Sequence, residues 1–348
     1  MSRTPARRKL DLKNGKVDLS HGAGGRAMAH LIEDLFQPPV ANEWLARGDD
    51  QAVLPAPAGR IAMTTDSYVV SPLFFPGGDI GSLAVHGTVN DLAMGGAVPL
   101  YLTAGFILEE GFALADLARI AASMGQAARA AGVAIVAGDT KVVERGKADG
   151  VFINTAGVGV VPDGVVLSAD QARPGDLVIV SGTIGDHGVA IMSQREDLSF
   201  DTQILSDSAA LHGLAAATLA AAGPALRLMR DPTRGGLAAT LNEIAQKSGV
   251  GVMLDEAAIP IRPEVAAACE LLGLEPLHVA NEGKMVAIVA PEAAPAVLAA
   301  MRADPLGRDA AVIGAVVDDP DRFVQMTTSF GGGSIVDWLA GEQLPRIC

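Results

Sequence analysis

The residues best placed to do chemistry are aspartates set in short polar or glycine-rich turns. They occur as Gly48-Asp49-Asp50, Thr64-Thr65-Asp66-Ser67, Asn90-Asp91, Gly138-Asp139-Thr140-Lys141 and Asp231-Pro232-Thr233-Arg234-Gly235-Gly236. Hard carboxylate oxygens suit Mg²⁺, which keeps several waters and binds through a few carboxylates and phosphate oxygens. Carboxylates packed together repel one another, and a cation relieves that repulsion. Phosphate chemistry is therefore expected without the usual signature, since no G-x-x-x-x-G-K-S/T run and no strand followed by G-x-G-x-x-G occurs. Any single aspartate reads equally well as a turn former, because Asp caps helices and tolerates turn geometry. The expectation rests on the set, most of which flank predicted strand ends, where α/β proteins place their sites.

Three further residues stand out. Lys141 follows Gly138-Asp139-Thr140 at the end of an apolar strand, beside carboxylates; alone it reads as a surface lysine. Glu282, in Asn281-Glu282-Gly283-Lys284, precedes a strand and is either a base or a turn residue. Cys348 is the last residue and lies beyond Gly331-Gly332-Gly333. A thiolate is a nucleophile, and a thiol behind flexible glycines can travel as an arm. The alternative is an incidental exposed thiol. A prenyl signal needs three residues after the cysteine, so lipidation is not expected.

The elements that must position these groups read as α/β. The chain has 348 residues, 49% of them hydrophobic and 4% aromatic, enough for two domains with small residues at tight contacts. Its formal charge of −14 argues against a nucleic-acid binder. No signal peptide opens it, and its longest uncharged stretch, Ser208 to Leu226, suits a helix better than a membrane span. The 2 cysteines cannot build a disulfide framework, and the 6 histidines lack ligand spacing, so a reducing cytoplasm is expected.

Helices are expected at Arg26 to Phe36, broken by Pro38-Pro39, at Ile80 to Met94 and at Asp116 to Ala131 with Gly132 as its stop. A strand at Ile61 to Asp66 alternates poorly and reads as buried on both faces. Others are expected at Val133 to Ala137, Val151 to Val160, Asp176 to Gly182 and Lys284 to Ala290. A linker at Val161 to Gly175 separates a domain over residues 1–165 from one over 174–330. Residues 331–348 form a tail with a glycine hinge and a short amphipathic turn at Ile335 to Ala340.

These motifs, together with His21-Gly22-Ala23-Gly24-Gly25, Val89-Asn90-Asp91-Leu92-Ala93-Met94 and the terminal Pro345-Arg346-Ile347-Cys348, resemble the HypE family over nearly the whole chain. These are the carbamoyl dehydratases of NiFe-hydrogenase maturation, within the superfamily of aminoimidazole ribonucleotide (AIR) synthetase and selenophosphate synthetase. The terminal motif is the most specific; Gln51 departs from the family, which more often has a small residue there. The resemblance implies a two-domain AIR-synthase-like fold, with an N-terminal domain that pairs its sheet across a homodimer and a C-terminal α/β sandwich. It implies ATP and Mg²⁺ between the domains, with Asp50, Asp66, Asp91 and Asp231 as metal or phosphate ligands. Asp139 and Asn154 would contact nucleotide, and Lys141 and Glu282 would act on the reacting group.

By the same resemblance, a HypF-type carbamoyltransferase would load Cys348, ATP-dependent dehydration would leave a thiocyanate, and cyanide would pass to a HypC–HypD-type iron scaffold. Two other readings compete. A small-molecule ATP ligase or kinase of the superfamily would need no special tail, and a selenophosphate enzyme typically carries an early Cys, whereas none precedes Cys269 here. A non-enzymatic scaffold would use the tail only for docking.

Overall fold

The computed structural model describes residues 9–196, 204–339 and 346–348. A four-stranded sheet opens the fold, in the order Arg60–Tyr68, Val151–Val161, Val98–Glu109, Ala134–Val143. Its first three strands are antiparallel neighbours, and the last pair runs parallel. The parallel pair is bridged by the helix Leu114–Ala130, as a crossover demands. The helix Ile80–Met94 packs between this helix and the sheet and is buried on nearly every side. Asp79 caps it, accepting from the Gly81 and Ser82 amides at 2.8 and 3.0 Å.

A seven-stranded mixed sheet follows, in the order Gly333–Ile335, Val324–Thr327, Gly251–Asp255, Ala311–Val317, Leu177–Val180, Val286–Val289, Leu226–Arg230. The interior strand Leu177–Val180 alternates between two cores. Val178 and Val180 pack with the helix Gly236–Ser248, while Ile179 packs with His212–Ala222 and Ala294–Ala303. Helices therefore cover both faces, and the buried strands read as continuous apolar runs. Among the described residues no helix is long and apolar enough to cross a membrane.

Several expectations change. Helical structure continues past Pro38-Pro39 to Val40, because after a π turn at Ile32–Phe36 the prolines fall in the first turn of the next helical segment, where no amide donor is needed. The strand Arg60–Tyr68 is not buried on both faces: Ile61 and Met63 are 62% and 74% exposed on an edge strand. The strand expected to stop at Ala137 runs on through Gly138-Asp139-Thr140-Lys141 to Val143. Val98–Glu109, with few polar markers, has no counterpart in the sequence reading yet is central to the first sheet. Gly331-Gly332-Gly333 is no open hinge. The Thr328 amide donates to the Gly332 carbonyl at 2.7 Å and the Gly331 amide donates to the Thr328 carbonyl at 2.8 Å across a hairpin turn, and Gly333–Ile335 pairs with Val324–Thr327. The turn expected at Ile335 to Ala340 is not formed: Ile335 ends the edge strand, residues 336–339 have no regular secondary structure, and Ala340 lies outside the described residues.

Gly157 marks how closely the helix Ile80–Met94 approaches the sheet. A Cβ there would lie 2.7 Å from Thr88 Cγ2 and 2.9 Å from Leu92 Cδ1. Gly157→Ala should cost about 1–3 kcal/mol by overpacking. A thermal melt followed by circular dichroism should show a lower Tm; an unchanged Tm would contradict the close contact.

Candidate active site

The strand Arg60–Tyr68 delivers chemistry to both faces of its sheet. In register, Asp66 lies opposite Thr155, and Ser67 lies opposite Asn154. Alternation sends these two rows to opposite faces. Asn154 also pairs with Gly105, which pairs with Asp139, so Ser67, Asn154 and Asp139 share one open face with Lys141. Asp66 faces the helix Ile80–Met94 and meets the residues of the second domain.

On that inner side a cavity of about 430 Å³ is lined by Asp66, Asp91, Asp231, Glu282, Arg230, Arg234, Tyr68 and Cys348. Thr64 donates to Asp91 at 2.6 Å, and Tyr68 donates to Asp66 at 3.2 Å. Asp231 opens a loop that turns into the helix Gly236–Ser248 through Gly235 and Gly236, both at positive φ. Asn281 ties that loop down, donating to the Pro232 carbonyl at 2.9 Å. Glu282 comes next, 3% exposed, with its amide donating to Asp207 at 3.0 Å. Asn90 spans the domain boundary, donating to the Ala209 and Glu282 carbonyls at 3.0 and 3.3 Å and accepting from the Leu211 amide at 2.7 Å.

The described end of the tail lies along residues 69–71. The Val69 amide donates to a Cys348 oxygen at 3.0 Å, and the Ser71 amide donates to the Arg346 carbonyl at 3.2 Å. Arg346 Nε returns a bond to the Val69 carbonyl at 2.9 Å and its guanidinium pairs with Asp149. Ile347 is buried, and the Cys348 thiol is delivered into the acidic cavity.

Burial and like charge govern this cavity. Asp66 is raised by burial first and then by Asp91. Asp231 is pushed up to about 7 by burial first and then by Asp91. Glu282 is held well above the carboxylate range by burial, then by Asp231, Asp207 and Asp66, with Arg234 opposing. Burial, then Glu282, pushes the Cys348 thiol up to about 12. Among the described residues no three His, Cys, Asp or Glu groups are gathered closely enough to hold an ion alone. The set still fits Mg²⁺ that arrives with phosphate oxygens and water: its donors are hard oxygens, Glu282 Oε1 is buried without a partner, and a cation would relieve the repulsion.

The other expected residues fall elsewhere. Lys141 and Asp139 form an exposed ion pair at 2.7 Å. With Asn154 they line a separate groove of about 420 Å³ that shares Ser67 and Tyr68 with the acidic cavity. Asp50 is exposed and lines neither. Sequence reasoning missed Arg230 and Arg234 as cavity residues, although Arg234 sits inside a quoted motif. It also missed Asn90, beside Asp91, and Asp207, which no motif marks.

The titration of Asp231 yields a test. Its pKa rises from 3.8 to about 7 on folding, so its stabilising contribution is complete below the lower value and lost as pH climbs through the upper. In metal-free buffer Asp231→Asn should raise Tm, by more at about pH 8 than at about pH 5, and Mg²⁺ should shrink the gain. Thermal melts over that range check this; a pH-independent difference would contradict it.

Comparison with known proteins agrees with this geometry. The N-terminal domain of AIR synthase related proteins matches residues 48–161, and the C-terminal domain matches residues 173–327. A carbamoyl dehydratase HypE of Bradyrhizobium diazoefficiens is 73% identical over 341 residues, covering 98% of this chain and 99% of that one. A crystal structure of hydrogenase maturation protein HypE in complex with ATP is 50% identical, with a TM-score of 0.91, covering 95% of this chain and 99% of its own. A HypE–HypF complex structure is 51% identical, with a TM-score of 0.78, covering 89% of this chain and 99% of its own. An acidic cavity between two such domains, reached by the chain's own terminal cysteine, thus comes with matches over nearly the full length, and the chain belongs to the HypE family of carbamoyl dehydratases.

Proposed function

We propose that this chain dehydrates a carbamoyl group carried on Cys348 to a thiocyanate, using ATP, and so supplies cyanide for NiFe-hydrogenase maturation. The observation that carries the reading is the entry of the Cys348 thiol into the cavity that holds Asp66, Asp91, Asp231 and Glu282. The amide oxygen of the S-carbamoyl group attacks the γ-phosphorus, ADP leaves, and one N–H proton passes to solvent water. The resulting O-phosphoryl isoimidate then expels phosphate as a base takes the second N–H proton, forming the C≡N bond. Glu282 is the proposed base, because its Oε1 is buried without a hydrogen-bond partner in the cavity that Cys348 also lines. Bound Mg²⁺ would supply charge for the phosphates at Asp66, Asp91 and Asp231. The same positive charge would bring Glu282 down into the range of a useful base.

A thiol held at about 12 is neutral in this cavity and a poor nucleophile, so loading by a HypF-type carbamoyltransferase belongs to a state with the tail outside. A relative solved as a HypE–HypF complex supports that partner, and one solved with ATP supports the nucleotide. A HypC–HypD-type iron scaffold is the proposed acceptor. Nucleotide contacts at Asp139 and Asn154, and charge stabilisation by Lys141, rest on the groove that meets the cavity at Ser67 and Tyr68. A metal or phosphate role for Asp50 rests on the resemblance alone. A homodimer is proposed from the open sheet face, where Ile61, Met63, Val98 and Ile107 expose apolar surface. The proposed division is residues 1–165 and 174–330, with the edge strand Gly333–Ile335 and Val336 built into the second domain and the tail running on from them to Cys348, in a reducing cytoplasm that suits two unpaired cysteines.

Mass analysis of the C-terminal peptide after incubation with carbamoyltransferase, carbamoyl phosphate and ATP tests the reading. It should show carbamoylation of Cys348, then loss of one water. Cys348→Ala should bind ATP yet show neither product nor partner-dependent ATP turnover; continued cyanide delivery to the hydrogenase precursor would overturn the carrier role. Glu282→Gln should accept the carbamoyl group but dehydrate it about 100-fold more slowly or worse. Normal turnover in that variant would remove Glu282 from the mechanism.

A further inference from the structure

We infer that His187 is a positioning residue that sets the depth of the tail and thereby the place of the Cys348 sulfur relative to Glu282. The inference rests on the proposed carrier role and deepens it. His187 lies in the first turn of the helix Asp186–Arg195 and is fully buried. Its Nε2 is 2.8 Å from the Ile347 carbonyl, one residue before the cysteine, and its Nδ1 is 2.7 Å from Ser206 Oγ. A carbonyl only accepts, so Nε2 must carry the proton and Nδ1 must accept from the Ser206 hydroxyl. Ser206 Oγ accepts in turn from the Ser208 amide at 3.1 Å. Burial disfavours a charged ring, which keeps this single tautomer in place.

The same short segment also holds the base. Asp207 accepts from the Glu282 amide at 3.0 Å, and the Ala209 amide donates to the Glu282 carbonyl at 3.4 Å. One continuous path therefore joins the Ile347 carbonyl, His187, the 206–209 segment and Glu282. The other tail contacts differ in kind. Val69 and Ser71 offer backbone amides, and Arg195 Nη2 donates to the Arg346 carbonyl at 2.9 Å. Those bonds hold the tail along residues 69–71 but do not reach the loop of Glu282. The face of the Phe75 ring and the edge of His187, or the reverse, meet at 88° with centroids 5.6 Å apart, leaving the imidazole little freedom to turn. A carrier thiol ester has to present its amide oxygen and nitrogen within ångströms of fixed groups, so an error in tail depth is an error in reaction geometry.

The experiment compares wild type, His187→Ala and His187→Gln in the full chain. Cys348 alkylation by iodoacetamide is followed by mass analysis of the C-terminal peptide, and dehydration of the preloaded carbamoyl group is followed in single turnovers. His187→Ala should alkylate at least about fivefold faster, load normally, and dehydrate at least about tenfold more slowly with unchanged ATP affinity. His187→Gln, which keeps a donor and an acceptor, should recover most of both. An alkylation rate and a dehydration rate equal to wild type in His187→Ala would overturn the inference. If His187→Ala does not fold, nitrogen NMR of the wild-type histidines is compared with that of a chain lacking residues 346–348. A protonated Nε2 whose shift changes on tail removal supports the contact, and an unchanged His187 resonance overturns it. Alkylation and NMR need no carbamoyl chemistry. If wild type never dehydrates while these two readouts behave as expected, the proposed reaction fails and the docking role stands.

Discussion

The buried amide of Asn90 is the interaction on which the rest of the site depends. It is 1% exposed, and its side chain bonds three backbone groups of the second domain, at Ala209, Leu211 and Glu282. Each such bond adds only about 0.5–1.5 kcal/mol net, but leaving one of these groups buried and unpaired costs about 1–3 kcal/mol. The alternatives to this docking are therefore poor. Because Asp91 is the next residue of the same helix, fixing Asn90 also fixes Asp91 against Asp231 and Glu282. The capped, almost wholly buried helix Ile80–Met94 thus sets the distance between the two halves of the cavity.

That docking leaves like charges facing one another away from water. Asp66, Asp231 and Glu282 all hold protons more tightly than free carboxylates do, for two reasons: burial first, then a neighbouring carboxylate, which is Asp91 for Asp66 and Asp231 and chiefly Asp231 for Glu282. Arg234 opposes this only in part. A cavity in this state favours positive charge, which is the property a site for a metal–nucleotide complex needs. It also suppresses the thiolate of Cys348. The acidic surroundings that would serve the proposed dehydration are unsuited to loading, so under that proposal the tail would have to work in two places.

The tail itself shows how local and tertiary information divide. Three consecutive glycines read as a hinge, and locally nothing opposes that. In the fold they turn a hairpin, because Gly333–Ile335 gains backbone pairing with Val324–Thr327 at the sheet edge and Val336 gains a buried place in the core. The strand Arg60–Tyr68 reverses in the same way. Its apolar residues suggested burial on both faces, yet its outer face is open, since burial depends on what packs against a strand and not on its composition.

By itself the sequence determined the chemistry on offer: carboxylates in glycine-rich turns, an acid before a late strand, a lysine beside an aspartate, and a terminal thiol in a specific motif. It also determined the α/β class and the limits of the helix Ile80–Met94 and, within two residues, of Leu114–Ala130, because caps, glycine stops and apolar runs are local signals. Only the tertiary structure decided which of those groups work together. Alternation along paired strands sends Asp66 inward and Asp139, Lys141 and Asn154 outward, and no spacing along the chain reveals which face will be covered. Asp50 sits at an exposed bend outside any helix or strand. Asp207 and His187 carry no motif, and their importance arises from contacts between residues far apart in sequence, such as His187 with Ile347 and Asp207 with Glu282. Such contacts exist only once burial has brought distant segments into hydrogen-bond range, and that is a property of the packed fold.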